Sequence, residues 1–152
     1  MRIFMKKNLT SFTVLIIFFV FLSIFTQKSN LNNIKEIKIA GQSIKVDLAF
    51  TPTAQEQGLS GRSNLKEDED MLFVFDKPGQ YPFWMKDMNF AIDIIWIGED
   101  LRVVYIKKNA LPESYPESYG SNGTSKYVLE VNADFSEKNN LKIGDKIDFV
   151  YR

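Results

Sequence analysis

Met71-Leu72-Phe73-Val74-Phe75 is an unbroken apolar run, set between the acidic stretch Glu67 to Asp70 and Asp76-Lys77-Pro78-Gly79. It is too short for a globular helix and rich in strand formers, so it reads as a buried strand followed by a turn at 76–79. A buried strand needs partners, and the chain offers them on both sides. Upstream, Ile34, Ile37 and Ile39 precede a Gly41-Gln42 turn and then Ile44, Val46, Leu48 and Phe50, the pattern of a β-hairpin. Thr51-Pro52 then starts a short helix, with Thr53-x-x-Glu56 as a capping box and Gly58 or Gly61 as its stop.

Downstream, Phe83-Trp84-Met85 and Ile92 to Ile97 read as two more strands, and Gly98-Glu99-Asp100 turns the second into Leu101 to Ile106. Tyr127 to Val131 and Ile147 to Tyr151 are the last strand signals, with a short helix over Ala133 to Asn139 between them. About eight strands and two short helices define a mainly β (α+β) class. The expected form over residues 34–152 is one compact domain, an antiparallel sheet or barrel-like. Residues 107–126, with the tandem Pro112-Glu113-Ser114-Tyr115 and Pro116-Glu117-Ser118-Tyr119, read as a long loop, either functional or without fixed structure.

The N-terminus follows another logic. Arg2, Lys6 and Lys7 precede an apolar run from Leu9 to Phe25, and Val14 to Leu22 has no polar face of the kind a core helix would show. At about 1.5 Å per residue that run makes a helix of about 26 Å, short for a bilayer span and long for the apolar part of a signal peptide. Residues 1–8 are expected to be a cytoplasmic basic region, 9–26 a transmembrane signal anchor and 27–33 a tether. Ser23 to Gln27 holds no Ala-x-Ala site, so an uncleaved anchor is preferred to the alternative, export after signal cleavage. Positive charge before the segment keeps the N-terminus inside and places the domain outside the cytoplasmic membrane.

Composition narrows the chemistry. With neither cysteine nor histidine there is no thiolate nucleophile, no imidazole base and no ordinary zinc site. Basic and acidic residues number 19 each, and 19 less Arg2, Lys6 and Lys7 leaves 16 basic residues against 19 acidic ones. A mildly acidic domain without clustered Lys and Arg is not a nucleic-acid surface. No cofactor is expected. Glu67-Asp68-Glu69-Asp70 lacks the spaced oxygens and turn glycine of a calcium loop, so no metal is expected either.

Five blocks carry a resemblance: Gly58-Leu59-Ser60-Gly61-Arg62, Met71 to Phe75, Phe83-Trp84-Met85-Lys86, Ile92-Asp93-Ile94, and Val128 to Asn132 followed by Gly144-Asp145. In that order, over residues 44–151, the chain resembles the DUF192 family of bacterial and archaeal proteins. The resemblance implies a compact, mostly β domain, frequently exported, and implies no particular activity. Asp70, Ala91 and Asp134 stand where the family pattern more often has glycine, proline and glycine, which puts local loop shape in question.

Within those blocks Arg62, Trp84, Lys86, Asp93 and Glu130 are the candidate ligand-binding residues; none is assigned as catalytic. The competing expectation for Asp93 and Glu130 is burial among apolar strand residues with Arg62 or Lys86 as ionic partners. For Trp84 it is packing in the core or at its rim. The favoured function is a membrane-anchored, non-catalytic module for a small-molecule, glycan or protein partner. The alternative is an envelope-glycan hydrolase using Asp93 and Glu130 as paired carboxylates, which requires both in one open pocket.

Overall fold

A computed structural model describes residues 13–20, 33–66, 69–120 and 122–151. The chain divides into two units, Met1–Asn33 and Ile34–Arg152. In the first, residues 13–20 are helical (α1). The rest of the expected 9–26 anchor lies outside the described residues, and among these no helix is long and apolar enough to cross a membrane.

The second unit opens with β1 (Ile34–Ile39) and β2 (Gln42–Ala49), an antiparallel hairpin in which Ile39 faces Gln42. The turn residues are therefore Ala40 and Gly41, one position earlier than expected, and both have positive φ, 49° and 79°. Such a two-residue turn twists in the sense that antiparallel strands require. Next comes α2 (Pro52–Gln57). Its N-cap is Thr51, whose hydroxyl accepts from the Ala54 N–H at 3.2 Å, so the cap lies two residues before the expected Thr53 box. Gly58, at φ 49°, ends the helix.

Strand β3 (Asp70–Gly79) contains the buried run and continues through the expected 76–79 turn, with an irregularity in its pairing between Val74 and Gly79. It lies parallel to β2. That corrects the expected antiparallel sheet, and the reason is the connection: residues 50–69, with α2 inside them, are long enough to carry the chain back to the starting edge, as a tight turn is not. The remaining strands are β4 (Phe83–Trp84), β5 (Ile92–Ile97), β6 (Val103–Ala110), β7 (Ser118–Tyr119), β8 (Ser125–Asn132) and β9 (Asp148–Tyr151), with α3 (Phe135–Lys138) before the last.

A mixed seven-stranded sheet results, in the order β6-β5-β8-β3-β2-β1-β9, beside a two-stranded β4-β7 sheet. The residues just ahead of its two edge strands meet: Arg102 bridges Lys146, and Ile147 N–H donates to Leu101 O at 2.9 Å. The sheet is thus tied to itself at one end. The 107–126 segment is also more ordered than expected. Strand β6 runs into it, Pro112–Ser114 form a 3-10 turn, and β7 pairs with β4.

Strands β5, β3 and β8 are central. All six residues of β5 are buried, as are Met71, Leu72, Phe73, Val128 and Leu129. One face of the sheet packs Phe73, Ile92, Ile94, Trp96 and Val128 with Leu59 from beyond α2 and Met85 from beyond β4. It is over this face that the recess described below opens.

Because a Cβ on Gly41 would meet nothing within 4 Å, the backbone sign alone constrains that position. Gly41→Val is expected to cost about 1–2 kcal/mol, read as a lowered urea midpoint; an unchanged midpoint would contradict the turn geometry.

Candidate functional site

In β5 and β8 the register pairs Asp93 with Val131 and Ile94 with Glu130. Directly paired residues share a face and successive residues alternate, so Asp93 and Glu130 project to opposite faces of the sheet. They do not line one pocket, and the paired-carboxylate arrangement required for glycan hydrolysis is not present.

Asp93 is fully buried. Its Oδ1 accepts from Asn109 N–H at 2.9 Å and its Oδ2 from Ser136 N–H at 2.8 Å. The expected Arg62 or Lys86 partner is replaced by main-chain donors, because Asp93 faces the end of β6 and the first turn of α3. The residue at the N-cap of α3, Asp134, makes no side-chain capping bond and sits at φ 67°, a conformation that favours the glycine of the family pattern. Asp93 supplies that helix end with an acceptor from a distant strand.

Glu130 is 5% exposed and its Oε2 has no hydrogen-bond partner. Burial pushes its carboxyl up to about 8, opposed in part by the nearby positive charge of Arg62. Arg62 does not reach it as an ion pair. The guanidinium instead bonds Asp47 Oδ2 at 3.1 Å and the Glu69 carbonyl at 3.4 Å. Lys86 is exposed and contributes its carbonyl, which accepts from Ser60 Oγ at 2.9 Å.

Glu130 lies at the floor of a recess of about 220 Å³. Phe73, Phe75, Tyr81, Phe83 and Trp84 supply its aromatic walls. Phe83 sits edge-on to Phe73 at 4.8 Å, Tyr81 stacks on Phe75 at 3.5 Å, and Trp84, 56% exposed at the rim, meets Tyr115 edge-on at 6.2 Å. The remaining wall is the 57–62 turn, held to the 85–89 segment by Gly61 N–H to Asp87 O at 2.8 Å and Asn89 Nδ2 to Arg62 O at 2.8 Å. Gly58 stands where a Cβ would come 3.2 Å from the Phe73 ring and 3.9 Å from Glu130 Oε2.

Of the five candidates, the structure therefore brings Trp84 and Glu130 into one recess, leaves Arg62 nearby and turned to Asp47, and puts Lys86 and Asp93 elsewhere. Sequence reasoning missed Gly58, Phe73, Phe75, Tyr81 and Phe83. The available signal was the two-residue spacing of Phe73 and Phe75, which puts both on one strand face. A second recess of about 370 Å³, lined by Gln42, Asp70, Lys138 and Asn139 among others, contains none of the five. Among the described residues no group of acidic side chains is arranged to hold a metal.

Fold and recess together define a small β-rich domain with a buried acid beneath an aromatic pocket. The chain belongs to the DUF192 family, described as "Uncharacterized ACR", which matches residues 35–149. It is similar to a crystal structure from Sinorhizobium meliloti 1021 described as a "putative transcription regulator". The identity is 30% and the TM-score 0.69, over 75% of this chain and 90% of that one. It is also similar to a protein of unknown function from Novosphingobium aromaticivorans DSM 12444, at 31% identity and TM-score 0.70, over 76% of this chain and 84% of that one. No curated protein matches the chain significantly.

Two substitutions separate the carboxylates. Asp93→Ala leaves one buried and one part-buried N–H group without their acceptor and is expected to cost about 3 kcal/mol; a variant that melts like the parent would refute the anchoring role. For Glu130 the folded value lies above the ordinary 4.5, so the folded state holds a proton that the unfolded state has lost. The stability of the fold is therefore unaffected by this titration below about pH 4.5, falls by roughly 1.4 kcal/mol per pH unit from there until about pH 8, and is level above. Glu130→Gln should remove that slope from urea midpoints compared across the window, whereas parallel pH profiles would show that Glu130 ionises normally.

Proposed function

We propose that this chain is a membrane-anchored, extracytoplasmic module that binds a small molecule in the aromatic recess and performs no chemistry on it. The observation that carries this reading is Glu130 Oε2, buried and unpartnered at the floor of that recess. A buried polar atom without a partner is costly, and a ligand group reaching it would remove the cost. Aromatic walls with few polar groups are also the usual lining of small-molecule sites.

Hydrolysis by paired carboxylates loses its support with Asp93 and Glu130 on opposite faces. The description attached to the Sinorhizobium meliloti protein transfers here at most as ligand sensing, since the domain is mildly acidic and DNA contact needs clustered cations. The anchor rests on Arg2, Lys6 and Lys7 ahead of the Leu9 to Phe25 run, and it puts the recess outside the membrane.

A fragment screen by NMR on the full chain in detergent tests the binding reading. Hits are expected to shift Trp84 and Tyr81 resonances and to raise the melting temperature. A screen without hits, or with hits only away from the recess, would refute it. Protease added to spheroplasts should digest the domain, and protection would refute the outward orientation.

A further inference from the structure

The recess has an uneven supply of donors and acceptors. Gln55 Nε2 donates to the Val74 and Ala49 carbonyls at 2.9 and 3.3 Å, and Gln57 Nε2 to the Ser60 carbonyl at 2.7 Å. Ser60 Oγ donates to Lys86 O and the Tyr81 hydroxyl to Lys77 O at 2.6 Å. The main-chain N–H groups of Gly58 and Ser60 are held by Ala54 O and Gln57 O. Most of these donors are thus engaged within the protein, while Glu56 and Glu130 add acceptors and no Lys or Arg lines the recess. An anion or a polyhydroxylated sugar needs donors from its site, and few are available.

We infer that the recess over Glu130 selects a small organic ammonium ion with a compact apolar body. This rests on the binding reading above and names its ligand class. An ammonium brings only donors, which suit Glu130 Oε2. Its positive charge is attracted to the π faces of the walls, an interaction that strengthens as water is excluded. A volume of about 220 Å³ limits the body to a few carbons or a single ring.

Binding has a defined proton balance. The free recess holds Glu130 as the neutral acid at neutral pH, since burial raises its ionisation to about 8. The ammonium keeps its own protons and donates one hydrogen bond to Oε2, while the Glu130 proton leaves to solvent. The other charges near Glu130 are Arg62, engaged by Asp47, and Glu56 on α2. Its paired neighbours on β3 and β5, Met71 and Ile94, bring none.

Cyclohexylammonium, cyclohexanol and cyclohexanecarboxylate share one ring and differ in head-group charge. Calorimetric titration of the full chain in detergent should show the cation binding at least tenfold more tightly than the alcohol, with no binding of the carboxylate. Cation affinity should rise by roughly tenfold per pH unit up to about pH 8, because only the ionised fraction of Glu130 is competent. At neutral pH the binding heat should vary with the buffer's ionisation enthalpy as one released proton requires. Glu130→Gln should keep the parent's fold by circular dichroism and lose both the cation preference and the proton release.

Equal affinity for alcohol and ammonium, or affinity independent of pH, would overturn the ammonium assignment. If none of the three binds while screening hits still map to the recess, the ligand class is wrong and the binding site stands. If neither probes nor fragments bind there, both readings fall.

Discussion

Strands β5 and β8 lie next to each other in the interior of the sheet, and each carries a buried carboxylate. Water is the cheapest partner for a carboxylate, and here it must be replaced by protein groups or the charge must be given up. On one face Asp93 has two main-chain N–H groups, from Asn109 and Ser136, directed at its two oxygens. On the other face Glu130 has none at Oε2 and keeps its proton to about pH 8. The two groups are one register step apart and belong to different problems: Asp93 holds β6 and α3 in place, and Glu130 leaves an oxygen without a hydrogen-bond partner beside a cavity.

The cavity exists because the chain covers that second face incompletely. After α2, Gly58 turns the backbone close over Phe73, and the following residues are tied to the 85–89 segment through Gly61, Ser60 and Asn89. A side chain at 58 would press on the Phe73 ring and come into contact with Glu130 Oε2, so this position, also at positive φ, suits a residue without one. The aromatic rings opposite are fixed by one another, Phe83 against Phe73 and Trp96, and Tyr81 against Phe75. Edge-to-face and stacked contacts of this kind make the walls rigid and leave ring faces available.

Most strands were legible from local pattern, because a period of two and short apolar runs are properties of neighbouring residues: the β1-β2 hairpin, the Met71 to Phe75 core of β3, and β5 were all visible in that way. Burial of Asp93 and Glu130 was legible for the same reason, each being flanked by apolar residues. What local pattern does not contain is which strand lies beside which. The parallel β2-β3 pair, the β4-β7 sheet and the opposite facing of the two carboxylates depend on pairings between segments far apart in the chain. A shift of one residue between β5 and β8 would have put both carboxylates on one face. Arg62 was misjudged on similar grounds, since its partner Asp47 comes from β2, outside the blocks that drew attention to it.

Glu130 can also be weighed against what an apolar residue would do there. A leucine or methionine at 130 would bury its side chain beside Phe73 and Met71 without any desolvation cost, and replacing buried charge by packed apolar groups is often neutral or stabilising. The domain gains nothing in stability from an acid whose Oε2 meets no donor. A carboxyl with an ordinary partner, such as Asp93, is part of the fold's own hydrogen bonding, and removing it loosens named elements. Glu130 lacks that role at Oε2, and the groups around it are acceptors and π faces. Its cost is recovered by something that enters the recess with a donor, and recovery is greatest when that donor is cationic, because an ion pair beside a buried carboxylate is screened less than one at the surface.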